Sequence, residues 1–144
     1  MSLLGLDYGQ KRIGVAQSDE LNLMAHAIGF IEHRNEEYVT QEIQKLIDEY
    51  RIQKIVIGLP ITLKGETGTQ AEKVLLFSSR LGNRISCPIV TWDERLTTAQ
   101  AERALIDQDV SRAKRREKRD AIAAEIMLQS YLDFTKQRNE NKHV

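Results

Sequence analysis

The chain has 144 residues, with 21 basic and 21 acidic side chains and no formal net charge. That length suits one domain that buries a core of its own, and Cys87, the lone cysteine, excludes an internal disulfide and a cysteine-built zinc cage. Without net charge, a polyanionic partner has to be met by local clusters; no apolar run nears the ~20 residues of a membrane span and no leader is visible, so a cytoplasmic protein without membrane contact is expected.

In chain order, residues 3–7, 12–18 and about 25–32 read as extended, the second carrying Ile13, Val15 and Ala16 and the third Ala27, Ile28, Phe30 and Ile31. Short polar or glycine-bearing connections join them as a meander. From Glu36 the period becomes helical, with Val39, Ile43, Leu46, Ile47 and Tyr50 on one face. "KIVIGLP" is a buried strand ended by Gly58 and Pro60, and a polar loop over 60–68 follows, either a flap or a plain connection. Thr69 and Glu72 have capping-box spacing before a helix to Gly82. "PIVTWDER" is a further strand, and Thr97 and Gln100 repeat the box before a helix to about Ile106. The basic stretch 111–119 then leads to a last helix over about 120–136. Alternating helix and strand after a meander predicts an α/β fold. Its five-stranded mixed sheet has a three-strand meander, then two parallel strands, with helices flanking it. The domain is read as 1–138, with 139–144 a polar tail.

"LLGLDYGQKRIGVA" poses the functional question, because Asp7 ends an apolar run, and a buried carboxylate is costly unless paired, hydrogen-bonded or metal-bound. Asp7 and Glu94 both fall at carboxyl ends of predicted strands, where α/β sheets collect ligands. Asp120 shares a helical stripe with Ala124, Met127, Tyr131 and Phe134, which aims it inward. Along "VTWDE", alternation puts Val90, Trp92 and Glu94 on one side and Thr91 and Asp93 on the other, and both acids stay open. Simpler roles exist: a turn-capping Asp7, a surface Glu94 paired with Arg95, and an Asp120 that favours a helix N-terminus by ~0.5 kcal/mol. Converging carboxylates resist ionising together, and magnesium or manganese, singly or as a two-metal site, removes that conflict. Such ions activate water and stabilise a leaving oxygen in phosphodiester hydrolysis.

"LDYGQKRIGVA", "GLPITLKGETG", "TWDERLTT" and "RDAIAAEIMLQSYL" together resemble the YqgF/RuvX family over about residues 3–132. The resemblance implies an RNase H-like fold and a metal-dependent nuclease related to Holliday-junction resolvases and associated with pre-16S rRNA processing. It puts the family's acidic positions on Asp7, Glu94 and Asp120, as catalytic residues and metal ligands. Relatives often have a small or apolar residue before the last aspartate, where this chain has Arg119.

Near those acids stand the cations expected to hold a nucleic-acid backbone: Lys11, Arg12 and Arg95 (which either contacts phosphate or orients the neighbouring acids), then Arg112, Lys114, Arg115, Arg116 and Lys118 in "SRAKRREKR". A charge run is more often a solvated face, but this one directly precedes Asp120. The expected partners are pre-rRNA, alone or in a ribosomal precursor particle, or branched DNA; the oligomeric state is not legible. His26 reads as a core or edge histidine, His33 and His143 have no spacing partner, and Cys87 reads as a buried thiol. Gly65 and Gly68 form no P-loop. Two other classes compete: a nucleotide-binding domain, since "DYGQKRIG" also resembles the phosphate loop of actin-like ATPases, and a non-catalytic RNA-binding assembly factor.

Overall fold

Alternation along each strand sorts its side chains into two sets, and the two sets meet different helices. In the computed structural model, residues 2–60, 68–94 and 112–141 are described, without the side chains of 112–118 and 137–141. The elements are β1 (Ser2–Asp7), β2 (Arg12–Ser18), β3 (Ala25–Glu32), α1 (Glu36–Tyr50), β4 (Ile52–Leu59), α2 (Thr69–Gly82), β5 (Ile89–Asp93) and α3 (Arg112–Asn141). The sheet order is β3-β2-β1-β4-β5. The first three strands pair antiparallel, while β1 with β4 and β4 with β5 pair parallel. The expected meander followed by two parallel strands is therefore present.

Leu4 and Leu6 of β1, Ile13 and Val15 of β2 and Ile55 and Ile57 of β4 face α1 and α2, where Val39, Ile43, Val74, Phe77 and Leu81 complete the core. The opposite set, with Leu3, Ala16, Val56 and Trp92, packs on Ala124, Met127, Leu128 and Leu132 of α3. Cys87 is buried against the first core, and burial pushes its thiol pKa up, as expected of a thiol with no nucleophilic role. His26 is exposed on the edge strand β3. Among the described residues no helix is long and apolar enough to cross a membrane.

Two helix starts differ from the sequence reading. The N-cap of α2 is Gly68, whose carbonyl accepts from the Glu72 amide at 3.1 Å, so Thr69 is the first helical residue and forms no capping box. The last helix begins at Arg112. The basic stretch is thus part of α3, and Asp120 lies two turns inside it rather than at its positive end. The dipole role considered for Asp120 fails on that ground, because the dipole acts only within the first turn. Thr97, Gln100, the helix to Ile106 and residues 61–67 of the polar loop lie outside the described residues.

Candidate active site

β1 delivers Asp7 to the carboxyl end of the sheet's central strand, on the α3 side, because Leu4 and Leu6 take the other side. In the register Asp7 faces Gly14 of β2, and the parallel pairing of Leu6 with Ile57 carries Gly58 of β4 up to its other flank. Both flanking residues lack a side chain, and each makes room for another acid. A Cβ on Gly14 would overlap the carbonyl oxygen of Asp120, so glycine there lets the backbone of α3 rest on the sheet. A Cβ on Gly58 would stand 2.5 Å from Glu94 Oε1 and 3.1 Å from Met127 Cγ, so glycine there lets Glu94 lean over β4 toward Asp7. Sequence reasoning missed both roles. The available signal was a glycine inside each of two strands, which marks a close approach of another group.

The choice between Asp93 and Glu94 follows from Trp92. Its indole packs on α3, with ring centroids 5.4 Å from Tyr131 and 5.0 Å from Phe134, and its Nε1 donates to Ser130 Oγ at 3.3 Å. That fixes the Trp92 side of β5 as the α3 side, and the chain just past the strand brings Glu94 into a hydrogen bond with Asp7. Asp93 falls on the opposite side by alternation.

The electrostatics record the convergence. Burial, then the charge and hydrogen bond of Glu94, then the charge of Asp120, push the Asp7 carboxyl from an ordinary 3.8 up to about 7. The pair therefore holds a shared proton near neutrality. Arg119, the departure from the family pattern, is exposed in mid-helix and leaves Asp120 turned inward. Among the described residues no group of three or more His, Cys, Asp or Glu side chains is placed to hold a metal ion together. The arrangement is a carboxylate pair with a third acid nearby. That donor set fits magnesium, which takes one or two carboxylates, keeps several waters and accepts substrate phosphate oxygens.

The turn that follows Asp7 is braced from β3. His33 donates its backbone N–H to Lys11 O at 2.9 Å, and its Nδ1 lies 3.0 Å from Gly9 O, which requires the Nδ1–H tautomer. Its ring meets Tyr8 edge-on at 5.1 Å, and Tyr8 leans on Phe77 at 4.7 Å. The partner of His33 is a carbonyl, which no residue spacing could reveal. Lys11 is exposed on this turn, and Arg12 is half-buried at the start of β2. Arg95 lies outside the described residues. Arg112, Lys114, Arg115, Arg116 and Lys118 have their backbone in α3 but their side chains outside the described set.

The family described as "RuvX: Holliday junction resolvase" matches residues 1–134. A Desulforudis audaxviator protein named "Putative pre-16S rRNA nuclease" is 43% identical over 136 residues, covering 94% of this chain and 96% of that protein. A Clostridium kluyveri protein of the same name is 45% identical over 133 residues, covering 92% and 97%. Among solved structures, Thermus thermophilus RuvC in complex with a Holliday junction substrate superposes with a TM-score of 0.58 at 12% identity, covering 95% of this chain and 96% of that one. The fowlpox virus Holliday junction resolvase gives 0.59 at 14% identity, covering 94% and 99%. At such identities the superpositions establish a shared fold, the RNase H-like one that the sequence implied.

Proposed function

Since the chain belongs to the RuvX family of nucleases, we propose that it is a divalent-metal-dependent endonuclease that matures the 5′ end of 16S rRNA precursors. The observation that carries this reading is the pairing of Asp7 with Glu94 beside Asp120; burial first, and then these two acids, hold the Asp7 carboxyl up to about 7. Such a cluster is poorly stable as three anions and well suited to a cation. Asp7, Glu94 and Asp120 would hold the metal through oxygen; when bound, it supplies charge neutralisation at phosphorus and at the leaving oxygen. The protein's own part is to release the shared proton, present anionic oxygens and fix their spacing from three separate elements. The sheet supports Asp7 and Glu94 rigidly, and α3 carries Asp120 over Gly14.

Substrate backbone is held by Lys11, Arg12 and Arg95 and by the basic half of α3, Arg112, Lys114, Arg115, Arg116 and Lys118. Continuity of the helix supports this last part, because those residues lead to Asp120 along one rod. Changing Arg115, Arg116 and Lys118 together to Ala should make the slope of log affinity against log salt shallower by ~2 to 3. An unchanged slope would assign that run to a solvated face.

The deciding experiment gives one preparation a precursor carrying the 5′ leader and a four-way DNA junction, each with and without magnesium or manganese. Metal-dependent cleavage of the leader, faster than that of the junction, is expected. Faster junction cleavage would move the activity to recombination, in line with the family description, and binding without cleavage of either would favour an assembly factor. Metal affinity should rise with pH through about 7, because the Asp7–Glu94 pair has to lose its proton to bind.

A further inference from the structure

β3 is an edge strand, and its residues near the candidate active site include an aromatic ring that the core does not use. Ile31 turns into the α1 and α2 core, so Phe30 projects from the opposite side, the side of Asp7 and Asp120. In the register Phe30 faces Gly14, and Gly14 faces Asp7, which places the three in one row across β3, β2 and β1. Two interstrand steps separate Phe30 from Asp7, about 10 Å. Phe30 is 40% exposed, and the Arg12 guanidinium lies over its ring, with Cζ 5.0 Å from the centroid. Arg12 makes no ion pair among the described residues: Glu32, opposite it in the register, is engaged by Arg34 at 3.0 Å. An exposed ring, a cation stacked on it and an open sheet edge are thus aligned with the carboxylate cluster.

We propose that Phe30 and Arg12 form a stacking subsite for an unpaired base of the nucleic-acid substrate. The proposal rests on the nuclease reading and deepens it, because it states the kind of strand that the site accepts. An aromatic face binds a base without reading its identity, while an adjacent guanidinium extends the stack or meets the phosphate. A base within a duplex is unavailable to such a shelf, so the subsite selects strands whose bases are splayed out. Ten ångströms spans about three stacked nucleotides, and fewer of an extended strand. The substrate is therefore single-stranded within about three nucleotides of the scissile phosphate. A lone surface phenylalanine is ordinary; its alignment with Asp7 and with Arg12, which has no ion-pair partner among the described residues, is what distinguishes this one.

The test uses single strands and matched duplexes carrying 2-aminopurine at successive positions around the cleavage site, bound in the presence of a chelator so that no cleavage intervenes. One position near the cleavage site should lose fluorescence on binding the wild type. Phe30→Leu should abolish that quench and weaken single-strand binding roughly 5- to 150-fold. Phe30→Tyr should keep both, and duplex binding should be the same in all three proteins. Thermal melting of each variant checks the fold, and if Phe30→Leu melts early, Phe30→Met takes its place. Equal quench and affinity in wild type and the leucine or methionine variant would overturn the subsite. If quenching behaves as expected but no substrate is cleaved once metal is restored, the nuclease reading fails and the subsite stands.

Discussion

On one face of the sheet Leu4, Leu6, Ile13, Val15, Ile55 and Ile57 stand as a layer of large aliphatic side chains beneath α1 and α2. On the other, Gly5, Gly14, Ala16 and Gly58 leave a thin layer beneath α3, and a Cβ on Gly5 would already stand 2.9 Å from Leu128 Cβ. The two faces belong to the same strands and differ by one step of the alternation. The thick face excludes water and stabilises the fold by buried apolar area. The thin face gives up that area so that a helix backbone and a glutamate can reach the same strand end. Close approach matters there because charges a few ångströms apart in a half-buried setting couple strongly, whereas the same acids spread over a surface would be screened. The candidate active site is thus a consequence of missing side chains as much as of the three acids present.

Breaking the thin face at its centre should have the largest effect. Asp7→Asn should lower metal-dependent cleavage by several orders of magnitude with the fold intact, read by single-turnover rates and circular dichroism. Its effect on metal-free stability has a definite sign. The folded Asp7 pKa of about 7 lies above its ordinary 3.8, so between those values the native state holds a proton that the unfolded chain has lost. Stability contributed by this group is full below about 3.8 and is lost as pH rises through about 7. Asp7→Asn removes that loss, and at pH 8 it should melt higher than the wild type, by something on the order of 2 kcal/mol. A lower melting temperature at pH 8 would remove the repulsive cluster from the account.

The thick face should respond in the opposite way. Ile57→Ala deletes a fully buried side chain and should cost about 2 to 5 kcal/mol, while cleavage well below the melting temperature stays near wild type. Equal loss of activity in that variant would mean that the two faces are not separable. A sharper comparison comes from Gly58→Ala, which should cost about 1 to 3 kcal/mol by overpacking and should reduce cleavage further than that loss explains, since the new methyl meets Glu94. Shortening the acid, as Gly58→Ala with Glu94→Asp, should recover part of the activity. No recovery would assign Gly58 to packing against Met127 alone. The smallest effect is expected at the outer surface of the thick side, where Arg80 and Glu36 join α2 to α1 at 2.5 Å while both stay largely exposed. Arg80→Ala should change stability by less than about 1 kcal/mol, and less again in high salt.

Apolar periodicity and local turn chemistry were enough to place all five strands, α1, the body of α2 and the inward stripe of the last helix, because each is a property of neighbours along the chain. Asp7 was legible for the same reason: a carboxylate ending an apolar run is anomalous wherever the strand ends up. Other features depend on which element covers which face, and the chain carries that information only through the completed fold. Alternation along "VTWDE" separates Asp93 from Glu94, yet the two sides are equivalent until Trp92 meets α3. The start of α3 at Arg112 lay beyond apolar patterning, since its first turns carry charged side chains with no stripe to mark them. By sequence Gly14 is an ordinary strand glycine and Gly58 a strand end; β4 runs on through Gly58 to Leu59, and both roles appear only when the Asp120 carbonyl and the Glu94 carboxylate arrive from far along the chain. Steric clearance between distant segments is a property of three-dimensional contact, and only the tertiary structure decides it.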